Sequence, residues 1–252
     1  MNQSKFDIQN SQYNFPYHYI PEFDNEGRIK LTRSLKWGLE YLCYQKHLHE
    51  NVIDMEPVSV LEIGCGDGFF IGNLPDSITK KVGIDLSSEA INFAKAFHPN
   101  CVFYTKNISE INDEFEVIIA IEVIEHIPEN ILNSFFQDTF ERMSNNSTLI
   151  ISVPTTVLPL NSKHYRHYTK EILVEQLKKS GVSFKIKKIE YIYKDSFFIK
   201  IYRRLIDNKL FSLEIKPITN FFWRSVWKKH RIASKNNGHH LIAYIEKTAV
   251  FK

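Results

Sequence analysis

Cysteine is scarce in this chain of 252 residues, and long apolar runs are absent from its sequence. The three cysteines, Cys43, Cys65 and Cys101, form no C-x-x-C pair, so neither a disulfide framework nor a structural zinc site is expected. No apolar run approaches the roughly 18 residues of a membrane span. The polar start, MNQSKFDIQN, does not resemble an export signal. We therefore expect a cytoplasmic protein.

The formal net charge of +3 conceals two oppositely charged parts. Residues 185–252 carry 16 Lys and Arg against 5 Asp and Glu, a net charge of +11 (16 − 5). Residues 1–184 carry 16 against 24, a net charge of −8 (16 − 24). A surplus of basic residues in one part of a chain favours an anionic partner. We expect the carboxyl-terminal part to face such a partner.

Short runs rich in Val and Ile alternate with helix-like stretches from Pro57 onward, which predicts an α/β fold with a parallel sheet covered by helices. The predicted strands cover residues 58–63, 81–85, 101–104, 115–121, 147–153, 184–193 and 240–248. Ser87 or Ser88 should cap a helix that runs to about Phe97. Thr169 should cap a helix over 170–180 that ends at Gly181.

Two segments fall outside this alternation. Residues 1–50 contain an aromatic loop over 13–21 and a helix-like stretch over 31–50, and we expect them to form a cap. Residues 195–238 separate the last two predicted strands and are too long for a hairpin loop, so they should have structure of their own. The predicted core therefore consists of residues 51–194 and 239–252.

A glycine-rich turn follows the first strand of this pattern. Gly64 and Gly66 can adopt backbone angles closed to other residues and let a ligand approach the main chain. Asp85 ends the next strand, where a carboxylate can accept both hydroxyls of a ribose. Glu62 would repel a pyrophosphate, and Phe69 replaces the third glycine of a dinucleotide-binding motif. The turn therefore predicts a site for a cationic nucleoside ligand.

Four segments resemble the class I S-adenosylmethionine (SAM)-dependent methyltransferases: LEIGCGDG (61–68), GIDLS (83–87), IAIEVIEHIPE (119–129) and HYRHYT (164–169). The resemblance covers about 58–193 and the last strand. It implies a Rossmann-like, seven-stranded and mostly parallel sheet with an antiparallel last strand and helices on both faces, and it implies SAM as cofactor. The residues that it assigns to the cofactor are Glu62, Gly64, Cys65, Gly66, Asp85, Leu86, Asn107, Ile108 and Glu122. Within this set, Asp85 would hold the ribose and Asn107 and Ile108 would edge the adenine.

The sequence after the fourth strand bears on the acceptor. It has neither the Asn/Asp-Pro-Pro-aromatic motif of amino-directed methyltransferases nor the Pro-Cys of the cytosine C5 enzymes. An oxygen acceptor is therefore favoured, and we expect O-methylation of a small polar or glycan-type molecule, such as a surface-polysaccharide precursor. Two alternatives stay open: a metal-dependent RNA 2′-O-methyltransferase, and a catalytically silent SAM-binding partner subunit.

Two acids and two histidines are expected to crowd one edge of the pocket: Glu122, Glu125, His126 and His164. Such a set could hold Mg²⁺ or Mn²⁺. It resembles the Glu-x-x-Glu-His motif and later His of metal-dependent 2′-O-methyltransferases of small-RNA 3′ ends. Without a metal, His126 or His164 could act as the catalytic base. A purely structural role is the third interpretation.

The remaining candidates concern the acceptor and the added segments. Tyr17, His18 and His167 are candidate substrate contacts. The segment 195–238 interleaves aromatic and basic residues, which is compatible with a lid, with a surface that touches an anionic membrane, or with a nucleic-acid-binding face. Membrane contact would place the protein at the inner membrane face. Nucleic acid is the weakest option because no RNA-binding module accompanies the segment.

Overall fold

The computed structural model describes residues 5, 21–23, 27, 29–31, 35–206, 213 and 215–248. Its centre is a seven-stranded sheet with the strand order β5-β4-β3-β6-β7-β9-β8. The strands are β3 (Ser59–Ile63), β4 (Lys80–Asp85), β5 (Val102–Thr105), β6 (Phe115–Ile121), β7 (Met143–Pro154), β8 (Phe184–Ile192) and β9 (His240–Lys247). A separate two-stranded sheet consists of β1 (Pro21–Phe23) and β2 (Ile29–Leu31).

The main sheet is parallel except at its last strand. β3 pairs in parallel with both β4 and β6, and β9 is antiparallel to both of its neighbours, β7 and β8. The predicted fold class, a mostly parallel Rossmann-like sheet with an antiparallel last strand, is confirmed. The chain extends from β3 to β4 and β5 on one side and then to β6 and β7 on the other. This reversal creates a crevice at the carboxyl ends of the strands, where ligands of such sheets bind.

Helices cover both faces of the sheet. They are α1 (Leu35–Asp54), α2 (Phe69–Gly72), α3 (Ser88–Phe97), α4 (Glu129–Glu141), α5 (Lys170–Lys179), α6 (Phe197–Ile206) and α7 (Lys216–Ser225). Successive strand residues point to opposite faces, so Ile119 packs into the core under α1 and α3, whereas Ile118 packs into the core under α4 and α5. The two cores leave the strand ends free to form the site.

Local sequence signals explain most element boundaries. The Ser87 side chain accepts a hydrogen bond from the Ala90 amide, and the Thr169 side chain accepts one from the Ile172 amide, as expected of helix caps. Gly181 follows α5 with a φ of 75°. All seven predicted strands are confirmed. The fifth is longer than the predicted 147–153, because β7 begins at Met143, which pairs with Phe115 before a register shift.

The first predicted helix is displaced along the chain. It was expected over 31–50, but α1 covers Leu35–Asp54, and Leu31 belongs to β2. The helix continues past residue 50 because no breaker occurs until Glu56, which adopts a φ of 49° immediately before Pro57.

The segment between β8 and β9 forms α6, α7 and a π-helical turn, Val226–His230. Ile199 and Trp223 are buried in the same core as α1. The Trp223 indole N–H donates to the Gly27 carbonyl at 3.0 Å, and Arg231 pairs with Glu50 at 3.2 Å. The segment is therefore packed on the core. In the described part of the chain, no helix has both the length and the apolarity that crossing a bilayer requires.

Candidate active site

The glycine turn after β3 is held against β4. The Gly64 amide donates to the Ile84 carbonyl at 2.8 Å. Gly64 adopts a φ of 70°, and a Cβ at this position would come within 2.6 Å of the Val123 side chain. An L-residue would therefore meet both backbone strain and a clash. Only glycine lets the chain turn this closely beneath the strand ends.

Asp85 is fixed at the end of β4 by two backbone amides. Its Oδ2 accepts a hydrogen bond from the Gly66 amide at 3.0 Å, and its Oδ1 accepts one from the Ser87 amide at 2.8 Å. A carboxylate oxygen can accept more than one hydrogen bond. The side chain is thus oriented as an acceptor for two neighbouring hydroxyl groups.

Glu62 brings a buried acid to the same place. Its side chain is almost fully buried, and Oε2 accepts a hydrogen bond from the Ile71 amide at 3.1 Å. Burial raises the pKa of this carboxyl well above its ordinary value. An external cation beside Glu62 would offset the cost of its ionisation.

A cavity of about 840 Å³ opens beside these groups. Eight of the nine predicted cofactor residues line it: Glu62, Gly64, Cys65, Asp85, Leu86, Asn107, Ile108 and Glu122. Gly66, the ninth, donates a hydrogen bond from its backbone amide to Asp85. The structure thus brings together the residues that the sequence pattern selected, at the switch point of the sheet.

Glu125, His126 and His164 form a compact group on the wall of this cavity. One ligand atom from each lies within 4.8 Å of the other two. Glu125 is fully buried, and among the described residues neither of its carboxylate oxygens has a hydrogen-bond partner. Burial raises its pKa well above the ordinary value. An orphaned buried carboxylate beside two imidazoles fits a bound cation.

The hydrogen bonds around the two imidazoles fix which nitrogens are free. His126 Nδ1 lies 3.3 Å from the Lys163 carbonyl, and His167 Nδ1 lies 3.1 Å from the Leu158 carbonyl, so each of these nitrogens must donate. His167 Nε2 then accepts from His164 Nδ1 at 2.8 Å. This inferred pattern leaves the Nε2 atoms of His126 and His164 with free lone pairs.

Both imidazoles of this group are neutral at pH 7. Burial lowers the pKa of His126. Burial and the neighbouring His126 and His167 lower the pKa of His164 to about 4. A neutral imidazole can accept a proton or bind a metal, whereas an imidazolium can do neither.

Glu122 is not a member of this compact group, although its charge acts on all three residues. Its Oε1 accepts hydrogen bonds from Ser152 Oγ and from His240 Nδ1, both at 3.0 Å. His240 also bonds to Glu40 Oε1 through Nε2 at 3.2 Å. Burial alone would lower the pKa of His240, but the two carboxylates raise it to about 10. His240 is thus an imidazolium between two carboxylates, and it is an internal counterion for Glu122, which is also a predicted metal ligand.

Several residues in and around the site were not predicted from the sequence. His240 could have been found, because an antiparallel strand begins at the edge where its parallel neighbours end. Tyr44 and Gln45 of α1, and Lys163 of the loop after β7, also line the cavity, and no sequence pattern marked them. His167, predicted as a substrate contact, is buried behind His164 and supports it.

Two predicted substrate contacts, Tyr17 and His18, lie outside the described residues. The same holds for much of the cap predicted over 1–50, from which the structure describes α1 and the short strands β1 and β2.

A glycine turn facing an acid on the neighbouring strand, at the carboxyl edge of a seven-stranded sheet with one antiparallel strand, defines the class I SAM-dependent methyltransferase fold. A family model described as "Methyltransferase domain" matches residues 36–186. The chain belongs to this family.

Two curated proteins are similar to part of the chain. A probable S-adenosylmethionine-dependent methyltransferase of Mycolicibacterium smegmatis is 24% identical over 132 residues, which cover 48% of this chain and 51% of that protein. The mitochondrial ubiquinone biosynthesis O-methyltransferase of Saccharomyces cerevisiae is 29% identical over 103 residues, which cover 35% of this chain and 33% of that protein. The chain thus spans about half the length of the first relative and a third of the second.

The fold is also similar to that of magnesium protoporphyrin IX methyltransferase from Synechocystis PCC 6803, solved with bound SAM. The TM-score is 0.56, the sequence identity is 12%, and the match covers 97% of this chain and 98% of that structure. At this identity the likeness concerns the fold.

Proposed function

We propose that this protein is a SAM-dependent O-methyltransferase that acts on a small polar or glycan-type acceptor. The observation that carries the proposal is the pair of imidazoles, His126 and His164, which line the same cavity as Asp85 and Glu62 and lie close to each other. Such groups suit the removal of a proton from a hydroxyl. A cavity of about 840 Å³ is large enough to admit an acceptor beside the cofactor.

The residues around the glycine turn fit the cofactor. Asp85 would accept the two ribose hydroxyls, Asn107 and Ile108 would border the adenine, and Glu62 would face the cationic end. SAM, when bound, supplies a methyl group on a positively charged sulfur. The buried Glu62 carboxyl supports this orientation, because a cation nearby makes its ionised form less costly.

Methyl transfer to a hydroxyl is an in-line displacement, so the site would have to align the acceptor oxygen with the methyl group that the cofactor would supply. The hydroxyl must also lose its proton. His164 Nε2 would take it, since His164 Nδ1 is held by His167, and the His167 ring is held in turn by the Leu158 carbonyl. This chain of hydrogen bonds orients the base as a carboxylate does in other catalytic pairs. His126 Nε2 is the second candidate base.

A metal-dependent RNA 2′-O-methyltransferase is the second candidate function. The orphaned carboxylate of Glu125 beside His126 and His164 favours it. These three residues would hold Mg²⁺ or Mn²⁺, which would supply a Lewis acid for the acceptor hydroxyl. Titration of the protein with Mn²⁺ alone, and elemental analysis after purification with manganese, would test this site. Methyl transfer that is unchanged by a strong chelator would refute it.

The acceptor class can be tested with labelled SAM and two panels, one of sugar nucleotides and glycans and one of single-stranded RNA. We expect methyl groups on the first panel, attached to oxygen as shown by mass spectrometry. Labelling of RNA alone would replace the first candidate with the second. Tight SAM binding with no turnover on either panel would instead indicate a silent partner subunit.

The base can be tested with His164→Gln. The variant should lower kcat roughly 10²- to 10⁴-fold, the usual contribution of a positioned base, and leave cofactor affinity unchanged. His98→Gln is a matched control, because burial also lowers the pKa of His98, which lies at the end of α3 and is not among the described residues that line the cavity. A His164→Gln protein as active as this control would refute the role.

A further inference from the structure

Helix α6 turns an apolar face to solvent. Its outward side chains include four large apolar ones: Phe197 (72% exposed), Phe198 (73%), Ile201 (40%) and Leu205 (63%). The spacing of 197, 201 and 205 places them in one row along the helix, with Phe198 beside it. Ile199 and Tyr202, on the other side, are buried in the core. One apolar face of α6 therefore packs on the core, and no described residue covers the second apolar face.

Helix α7 contacts α6 and also has exposed apolar side chains. Tyr202 of α6 stacks on Phe222 of α7 with ring centroids 3.8 Å apart, so the two helices meet at this ring pair. Phe221 contacts Phe222 edge to face at 5.6 Å and is 68% exposed, and Ile218 lies one turn earlier with 37% exposure. The uncovered apolar side chains of both helices therefore flank one ring pair.

Cations border this surface. Lys200 and Arg204 of α6 and Lys216 and Arg224 of α7 are exposed, and residues 196–238 hold ten Lys and Arg against two acids, Asp207 and Glu214. We call the six apolar side chains and these four cations the basic aromatic face; they are Phe197, Phe198, Ile201, Leu205, Ile218, Phe221, Lys200, Arg204, Lys216 and Arg224. No acid occurs among the described residues of 196–238.

The composition of the basic aromatic face decides between partners. Single-stranded RNA would stack on the phenylalanines, but Ile201, Leu205 and Ile218 have no ring for a base to stack on. A second copy of the chain would bring the same positive charges to the contact. A bilayer with anionic headgroups can bind both the apolar side chains and the cations of this face. The apolar side chains enter the boundary of the acyl chains, while the cations stay among the headgroups.

We propose that the basic aromatic face binds an anionic membrane surface, with α6 and α7 lying in the plane of the headgroups. Each helix has 10 residues, which is too short to span a bilayer but long enough to lie on its surface. The surface lies on the α1 side of the sheet and does not overlap the described lining of the cavity. The proposal is independent of the proposed function, since its test measures binding without turnover.

Co-sedimentation with vesicles tests the proposal. We expect the full chain to bind vesicles of phosphatidylcholine with phosphatidylglycerol, to bind pure phosphatidylcholine weakly, and to lose the anionic preference at high salt. The double variant Phe197→Ser/Phe198→Ser should weaken binding roughly tenfold or more, because two large apolar groups no longer insert. Lys200→Glu/Arg204→Glu should weaken it by roughly fivefold or more for each charge removed.

Two control variants match these changes elsewhere on the molecule. Val58→Ser removes an exposed apolar side chain just before β3, and Lys178→Glu reverses an exposed charge on α5, which covers the opposite face of the sheet. Both should bind vesicles as the unmodified protein does, and all variants should keep their melting temperature and their affinity for S-adenosylhomocysteine.

Three results would overturn the proposal. The first is equal binding, or none, to anionic and uncharged vesicles. The second is binding of the Phe197→Ser/Phe198→Ser variant at the unmodified level. The third is a dimer, or a complex with single-stranded RNA, that these substitutions abolish while vesicle binding persists.

Discussion

Replacing Asp85 by asparagine should weaken cofactor binding roughly 10- to 100-fold and leave the protein folded. The carboxylate accepts one hydrogen bond from the Gly66 amide and one from the Ser87 amide, and a carboxylate oxygen can accept more than one hydrogen bond. Asparagine has one acceptor oxygen and one NH₂ donor. One backbone amide would then face the new donor, and one charge-assisted bond to the cofactor would be lost.

The magnitude follows from the lost bond. A hydrogen bond to a charged group contributes about 1.5–3 kcal/mol, and about 1.4 kcal/mol corresponds to a factor of ten in affinity. Isothermal titration with S-adenosylhomocysteine measures the change. Asp113→Asn is the matched control, because Asp113 is exposed and pairs with Lys80 at 3.0 Å. An Asp85→Asn protein that melts normally and binds as tightly as this control would refute the ribose role of Asp85.

Three further predictions concern the same site. Gly64→Ala should lower the free energy of unfolding by about 2–4 kcal/mol, because the cost of the left-handed φ and the cost of the clash with Val123 are added together. Gly181→Ala is the control, since Gly181 has a φ of 75° but no atom lies within 4 Å of the added Cβ. It should lower the free energy of unfolding, measured by chemical denaturation, by only about 1–2 kcal/mol. The pKa of His240 is raised from 6.5 to about 10, so the stability from its imidazolium is complete below pH 6.5 and is lost as the pH rises toward 10. The melting temperature should therefore fall more over this range in the unmodified protein than in His240→Gln, and equal falls would contradict the ion pair. Because the pKa of Glu62 is raised, SAM affinity measured by titration should increase with pH as this carboxyl ionises. Glu62→Gln should remove this pH dependence. A Glu62→Gln protein whose SAM affinity still increases with pH would contradict the prediction.

Local signals made much of the fold predictable. The strands were recognisable because they are short apolar runs, many of them rich in Val and Ile, between helix-like stretches. Ser87 and Thr169 marked helix starts because their side chains accept hydrogen bonds from amides three residues later. The Gly64 turn was recognisable because it directly follows one strand, and Asp85 because it ends the next one. Parallel strand ends meet at one edge of a sheet, so sequence order alone predicted that these two residues would be neighbours.

Contacts between distant segments were not predictable in the same way. The pattern of α6 is apolar on most sides, and only packing shows that Tyr202 faces the core while Phe198 does not. The contact of His240 with Glu122 joins residues 118 positions apart, and its contact with Glu40 joins residues 200 positions apart. No local periodicity encodes such pairs, and they depend on how the last strand and α1 meet at the edge of the sheet.

Three acids on the cavity wall, Glu62, Glu122 and Glu125, differ in whether a protein cation neutralises them. This difference distinguishes a carboxylate that is paired within the fold from carboxylates that could meet a ligand. Glu122 has an internal cation, because His240 is held as an imidazolium beside it. Burial instead raises the pKa of Glu62 and of Glu125, and the neighbouring His126 is neutral. A buried carboxylate without a counterion must take up a proton or meet a cation from outside. Of Glu62, Glu122 and Glu125, only Glu122 has such a counterion in the fold, so the ionisation of Glu62 and Glu125 should respond to what enters the cavity.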